Sequence, residues 1–77
     1  MQYESTSELP KGVQHVLPQH AQDIYKEAFN HAFAEYADPG KRRGSESQEE
    51  TAHRVAWAAV EGSYQREADG TWHRKGV

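Results

Sequence analysis

The chain has 77 residues, no cysteine and a net charge of −3, from 9 Lys+Arg against 12 Asp+Glu, with five His besides. One domain of this length buries only about 60% of its unfolded surface, which leaves no room for a deep catalytic cleft. The missing cysteine excludes disulfides, thiolate zinc sites and cysteine nucleophiles, and the acidic balance disfavours nucleic acid as the main partner, because counterion release needs a basic face.

Residues 1–8 are polar and are expected to be flexible, with Tyr3 as their one anchor. They carry neither the basic n-region nor the apolar h-region of a signal peptide, and no apolar run in the chain nears the ~18 residues that span a bilayer. The expectation is a soluble, cytoplasmic protein without membrane insertion. Leu9-Pro10 then opens a short helix to about Leu17, with Pro10 in its first turn and an apolar edge of Val13, Val16 and Leu17. Gly12 weakens that helix by about 1 kcal/mol against Ala. Pro18 ends it and suits the first turn of the next.

The second helix is predicted from about Pro18 to Tyr36, roughly 28 Å long. Ala21, Ile24, Tyr25, Ala28, Phe29, Ala32, Phe33 and Tyr36 share an arc of about 180°. His20, Asp23, Lys26, Glu27, Asn30 and His31 fill most of the other face. Asp38-Pro39-Gly40 stops it with turn chemistry. The polar loop 38–47 holds Lys41-Arg42-Arg43, the basic cluster of the interior. Ser47 and Glu50 form a capping box for a third helix, which the apolar pattern carries to about Tyr64. Its apolar residues span roughly 200°, so it is expected to be the central and most buried helix. The tail 65–77 either frays or closes a small hairpin about Asp69-Gly70, with Trp72 folding back on the helices and Met1–Tyr3 as a candidate third strand. No internal repeat is evident.

The runs SELPKGVQHVLPQHAQDIYKEAFNHAF (Ser7–Phe33) and EETAHRVAWAAVEGSY (Glu49–Tyr64) resemble the ChaB family of small proteins, described as regulators of cation transport. Trp72-His73 is similar to that family's C-terminal tryptophan segment. The likeness covers more than half of the chain; the loop Ala37–Glu46 and the tail from Gly62 depart from it. It implies a compact helical domain with a small β element, associated with a membrane cation/proton antiporter of the ChaA type that exchanges sodium, calcium or potassium. Through that partner the protein would be peripheral to the inner membrane. The family carries over no catalytic residue.

Candidate sites each compete with a plainer role. His20 and Asp23, with Glu27 and His31, could turn two to four metal ligands to one side of the second helix. An open helix face lacks the closed geometry and outer support of a metal site, so helix-stabilising pairs are the better reading. His53 falls inside the apolar arc of the third helix, either as a boundary histidine with satisfied nitrogens or as a proton sensor. Hydroxyls sit at caps and loops, the six glycines form no phosphate-binding pattern, and Glu49/Glu50 belong to a helix start. No enzyme, no cofactor and no small-molecule substrate are expected.

The residues therefore predict one mostly α-helical, compact three-helix domain over 1–77, packed around Val16, Ile24, Phe29, Phe33, Val55, Trp57 and Val60. The expected function is regulation of an antiporter by protein–protein contact. The contact surface is placed at His20, Asp23, Lys26 and Glu27, with Lys41, Arg42 and Arg43 second and His53 as pH sensor. The alternative is a winged-helix-like nucleic-acid binder using Lys41–Arg43 with Arg74-Lys75, or a general adaptor.

Overall fold

Two leucine–proline steps set the entrance to the helical part. In the computed structural model, which describes residues 2–76, a 3-10 turn at Thr6–Glu8 leads into helix α1 (Lys11–Val16) and helix α2 (Gln19–Glu35). A second 3-10 turn at Pro39–Lys41 precedes helix α3 (Gln48–Glu61), and strands β1 (Tyr64–Arg66) and β2 (Trp72–Arg74) close the chain. The molecule therefore has the three helices and the C-terminal hairpin that the pattern predicts.

Pro10 and Pro18 stand one position earlier than expected, as N-caps with extended ψ of 143° and 162° rather than as first-turn residues. A residue before proline is pushed out of the helical region, and Leu9 and Leu17 are accordingly extended, with both side chains buried. Each step leaves a leucine carbonyl that no helix claims. Gln14 donates to the Leu9 carbonyl at 2.6 Å and Gln22 to the Leu17 carbonyl at 2.9 Å. The segments LPKGVQ and LPQHAQ are thus one short device used twice, eight residues apart, and it satisfies acceptors that would otherwise be stranded at a buried corner.

α2 and α3 form the main seam. Ala21, Ala32, Ala52 and Ala56 are all buried there, and such small side chains let two helix backbones approach closely. Tyr25, Phe29 and Val60, each wholly buried, fill the remaining volume. Leu9, Val13, Leu17 and Tyr64 complete the buried cluster, Tyr64 lying at the α2 N-terminal end where its hydroxyl meets His20. Phe29 and Val60 lie in the core as predicted, whereas Ile24, Phe33, Val55 and Trp57 pack around its edge. Val16 does not belong to the core: it is 38% exposed. A helix of six residues offers a single inward stripe, and Val13 with the flanking leucines occupies it.

α3 starts at the predicted capping box, with the Ser47 side chain accepting from the Glu50 amide and the Glu50 carboxylate accepting from the Ser47 amide. It ends at Glu61, three residues before the predicted limit, because Tyr64 has left for β1. For its length it is the most buried helix, as expected, with four of 14 residues buried against four of 17 in α2. Thr51, Ala52, Ala56 and Val60 are its buried residues. Its wide apolar arc is used on two sides, against α2 and towards the hairpin.

β1 and β2 pair antiparallel, Tyr64 opposite Arg74 and Arg66 opposite Trp72. Gly70 takes the left-handed conformation the turn needs (φ 90°), while Asp69 keeps a negative φ and accepts hydrogen bonds from Thr71. Positive φ at the glycine alone is the pattern of a three-residue loop rather than of a type I′ turn. At the other end Tyr3 meets α2 instead of the hairpin. Its amide donates to the Asn30 side-chain oxygen at 2.8 Å, its carbonyl accepts from the same amide group at 2.6 Å, and its ring lies 4.7 Å from that of Phe29. Of the suggested third strand, Met1 lies outside the described residues.

Candidate partner-contact surfaces

The polar face of α2 turns away from α3, so its side chains have little packing to do. His20, Asp23 and Glu27 are exposed along it, Glu27 with 76% of its side chain free. They are not equally free of structural duty. His20 Nδ1 lies 3.0 Å from the Tyr64 hydroxyl and ties α2 to β1. Lys26 is half-buried, and its ammonium reaches Glu27 at 3.1 Å. Asp23 makes one long contact, accepting from Gln19 at 3.4 Å. The four predicted contact residues thus share one helix and one general side, with Asp23 and Glu27 the least constrained. His31 and Glu35 extend the same stripe at 3.7 Å from each other. Among the described residues no three carboxylates or imidazoles are grouped so as to hold a metal.

Lys41, Arg42 and Arg43 sit where the 3-10 turn runs out. Lys41 and Arg43 are exposed and Arg42 is half-buried. The turn is held by Asp38, whose carboxylate accepts from the Gly40 amide at 2.9 Å. Lys41–Arg43 follows α2's C-terminus, so it forms a second surface rather than part of the His20–Glu27 face.

His53 is the half-buried exception. Its ring lies 4.7 Å from Phe29 and 5.9 Å from Tyr25, and the Tyr25 hydroxyl hydrogen-bonds to Nδ1. Burial pushes the Tyr25 phenol well above its ordinary range, with the neighbouring Tyr3 adding to it. Tyr25 therefore stays protonated, and its hydroxyl shares one hydrogen bond with His53 Nδ1. Burial also lowers the His53 pKa, and the Glu49 carboxylate on the same helix opposes that shift. The site holds a neutral histidine against an aromatic wall.

The ChaB family profile matches residues 9–75. The chain belongs to the ChaB family. Proteins named "Putative cation transport regulator ChaB" from Escherichia coli and Shigella flexneri are 57% identical over 75 residues, covering 97% of this chain and 99% of theirs. An NMR solution structure of the putative cation transport regulator ChaB superposes with a TM-score of 0.81 at 57% identity, over 96% of this chain and 99% of that one. The family profile takes in both leucine–proline steps, the α2 face, His53 and the hairpin, and begins after Tyr3. No helix among the described residues is long and apolar enough to cross a membrane.

Reading the residues alone missed three features of this ChaB fold. Glu46 folds back from the loop to accept from Thr51 at 2.9 Å and from Arg54 at 3.0 and 3.2 Å, and the Arg54 contact above all holds its carboxyl below the usual range. Nothing in the spacing marks it, since Glu46 lies outside the helix where i,i+4 rules apply. The Gln14 and Gln22 caps did carry a signal, the repeated L-P-x-x-x-Q. The third feature is an open cleft between α1, α3 and the hairpin, lined by Val16, Trp57 and Trp72.

Proposed function

We propose that this chain regulates cation transport by binding, without catalysis, to a membrane cation/proton antiporter of the ChaA type. The observation that carries the reading is near-full-length kinship, at 57% identity, with proteins named cation transport regulators. The contact is made from the cytoplasmic side by the exposed part of the α2 face, centred on Asp23 and Glu27. A face of this kind supports partner choice: its charges stay hydrated, are weakly paired, and steer encounter without serving the core. Lys41–Arg43 provides a second contact, suited to an acidic partner loop or an anionic leaflet.

The test is antiport in inverted membrane vesicles containing a ChaA-type exchanger, with and without the purified protein. The expected result is a dose-dependent change in rate or pH profile that the double variant Asp23→Lys/Glu27→Lys abolishes. No change at saturating protein overturns the antiporter reading. A change that survives the double variant moves the contact away from α2.

A further inference from the structure

The cleft between α1, α3 and the hairpin has a volume of about 410 Å³, within the range of sites that take a small ligand or a peptide side chain. Its floor is the indole pair Trp57 and Trp72, with ring centroids 5.5 Å apart and planes inclined by 31°. Val16 forms one wall, and it is the exposed large apolar residue of the described chain. Beside it stands Gly12, where an added Cβ would meet nothing within 4 Å. A glycine inside a six-residue helix is unfavourable for folding, yet here it widens the mouth of an apolar cleft.

The rim has a definite charge. Arg66 lines the cleft, and a second depression of about 320 Å³ shares Glu61, Arg66 and Trp72 with it and adds Lys75. The strand register sets Arg66 and Arg74 on the same sheet face as Trp72 and Tyr64. Neither Arg66 nor Lys75 makes an ion pair among the described residues. Across the two depressions Arg66 and Lys75 stand against one lining carboxylate, Glu61, a local charge of +1 on a chain whose net charge is −3.

We propose that this cleft captures a short acidic segment of a protein partner, with an apolar side chain seated against Trp57 and Trp72 and adjacent carboxylates on Arg66 and Lys75. Charge complementarity selects this occupant: a basic segment would meet Arg66 and Lys75, and a purely apolar one would leave them unanswered. Half-buried tryptophans with a charged rim have the make-up of an interface centre. The inference goes beyond the antiporter reading and uses a different surface, so either can fail alone.

Both tryptophans of the chain lie in the cleft, so intrinsic emission reports on this site. The full chain would be titrated with the capped peptides EDFLD, QNFLN and KKFLK, none of which contains tryptophan. EDFLD is expected to shift the emission saturably, and QNFLN and KKFLK to bind more weakly in that order. Salt should weaken EDFLD. Arg66→Gln and Lys75→Gln should each cost roughly two- to fivefold in affinity, the range of exposed charge pairs. Gly12→Leu should fill the mouth and abolish binding while leaving the melting temperature unchanged or raised, which separates occlusion from misfolding. Equal binding of EDFLD and QNFLN, preference for KKFLK, or no shift with any peptide at millimolar concentration overturns the proposal. So does an emission shift on raising the protein concentration alone, which would make the occupant a second copy of the chain. A saturable shift with anionic lipid vesicles but none with EDFLD would make it a membrane surface.

Discussion

The α2–α3 seam and the hairpin cleft are built from the same kinds of side chain and end in opposite states. At the seam Tyr25 and Phe29 are wholly buried, the Tyr25 hydroxyl is met by His53, and Phe33 stacks on Phe29 at 5.8 Å. At the cleft Trp57 and Trp72 lean together with part of each ring in water. The two are joined, because Trp57 sets its edge against Tyr25 at 5.1 Å. What differs is closure. The seam has a second long helix over it, while the cleft has a six-residue helix containing Gly12 and a three-residue strand pair. Aromatic residues under a complete lid supply stability, and those under an incomplete one leave surface for recognition.

That contrast breaks most sharply at Phe29. Phe29→Ala removes a fully buried ring that touches Tyr3, Phe33 and His53, and the cavity left in the small core should cost about 3–5 kcal/mol. In a domain of this size that is a large share of the total stability. Urea unfolding followed by circular dichroism should show a midpoint close to zero denaturant. Trp72→Ala should cost less, about 1–2 kcal/mol, because much of that ring is already wet and its removal exposes little new surface. Equal losses at the two sites would mean that the cleft is part of the core.

How far each region can be read from residue order follows from the same difference. The seam is written in helical periodicity: Ala21, Tyr25, Phe29 and Ala32 recur at i, i+4, i+8 and i+11, and the Ser47–Glu50 box marks where α3 starts. Periodicity alone overrates large residues: Val16 and Trp57 are expected in the core, whereas Ala21 and Ala32, although on the predicted arc, are not counted in it. The cleft is not written locally. It needs Val16, Trp57 and Trp72 from three elements, and their meeting depends on α3 stopping at Glu61 and on Gly70 reversing the chain. Of the contact residues, α2's exposed stripe is legible as a face, whereas the bond from His20 to Tyr64 is a tertiary event that no helical wheel contains.

His53 sharpens the comparison at the seam itself. Its pKa is lowered in the folded protein from an ordinary 6.5, since burial disfavours the imidazolium more than Glu49 favours it. The unfolded chain therefore takes up the proton first as the pH falls. The stability owed to this histidine is fully present above about pH 6.5 and declines as the pH drops towards the folded-state value. Tyr25 and Tyr3 remain neutral there, so the facing charge is that of Glu49. His53→Gln should flatten the pH dependence of the melting temperature just below about pH 6.5. An unchanged slope would place the titration elsewhere. The loss associated with Glu46 and Asp69, whose carboxyls are held below 4.5 and 3.8 by Arg54 and Thr71 respectively, belongs to more acidic pH and should persist in the variant.

The smallest expected stability effect lies on the outer face of α2. Asp23→Lys/Glu27→Lys removes one long contact from Gln19 and one exposed ion pair with Lys26. Exposed pairs contribute about 0–1 kcal/mol, and substitutions on such a face usually stay within about 0.5 kcal/mol. The melting temperature should hardly move, although four units of charge are exchanged. A large drop would mean that these carboxylates hold α2 in place, and the surface assigned to a partner would then be structural. An unmoved melting temperature, together with lost antiport regulation and unchanged EDFLD binding, would separate all three roles: the seam would carry stability, the cleft would take an acidic segment, and the α2 face would recognise the transporter.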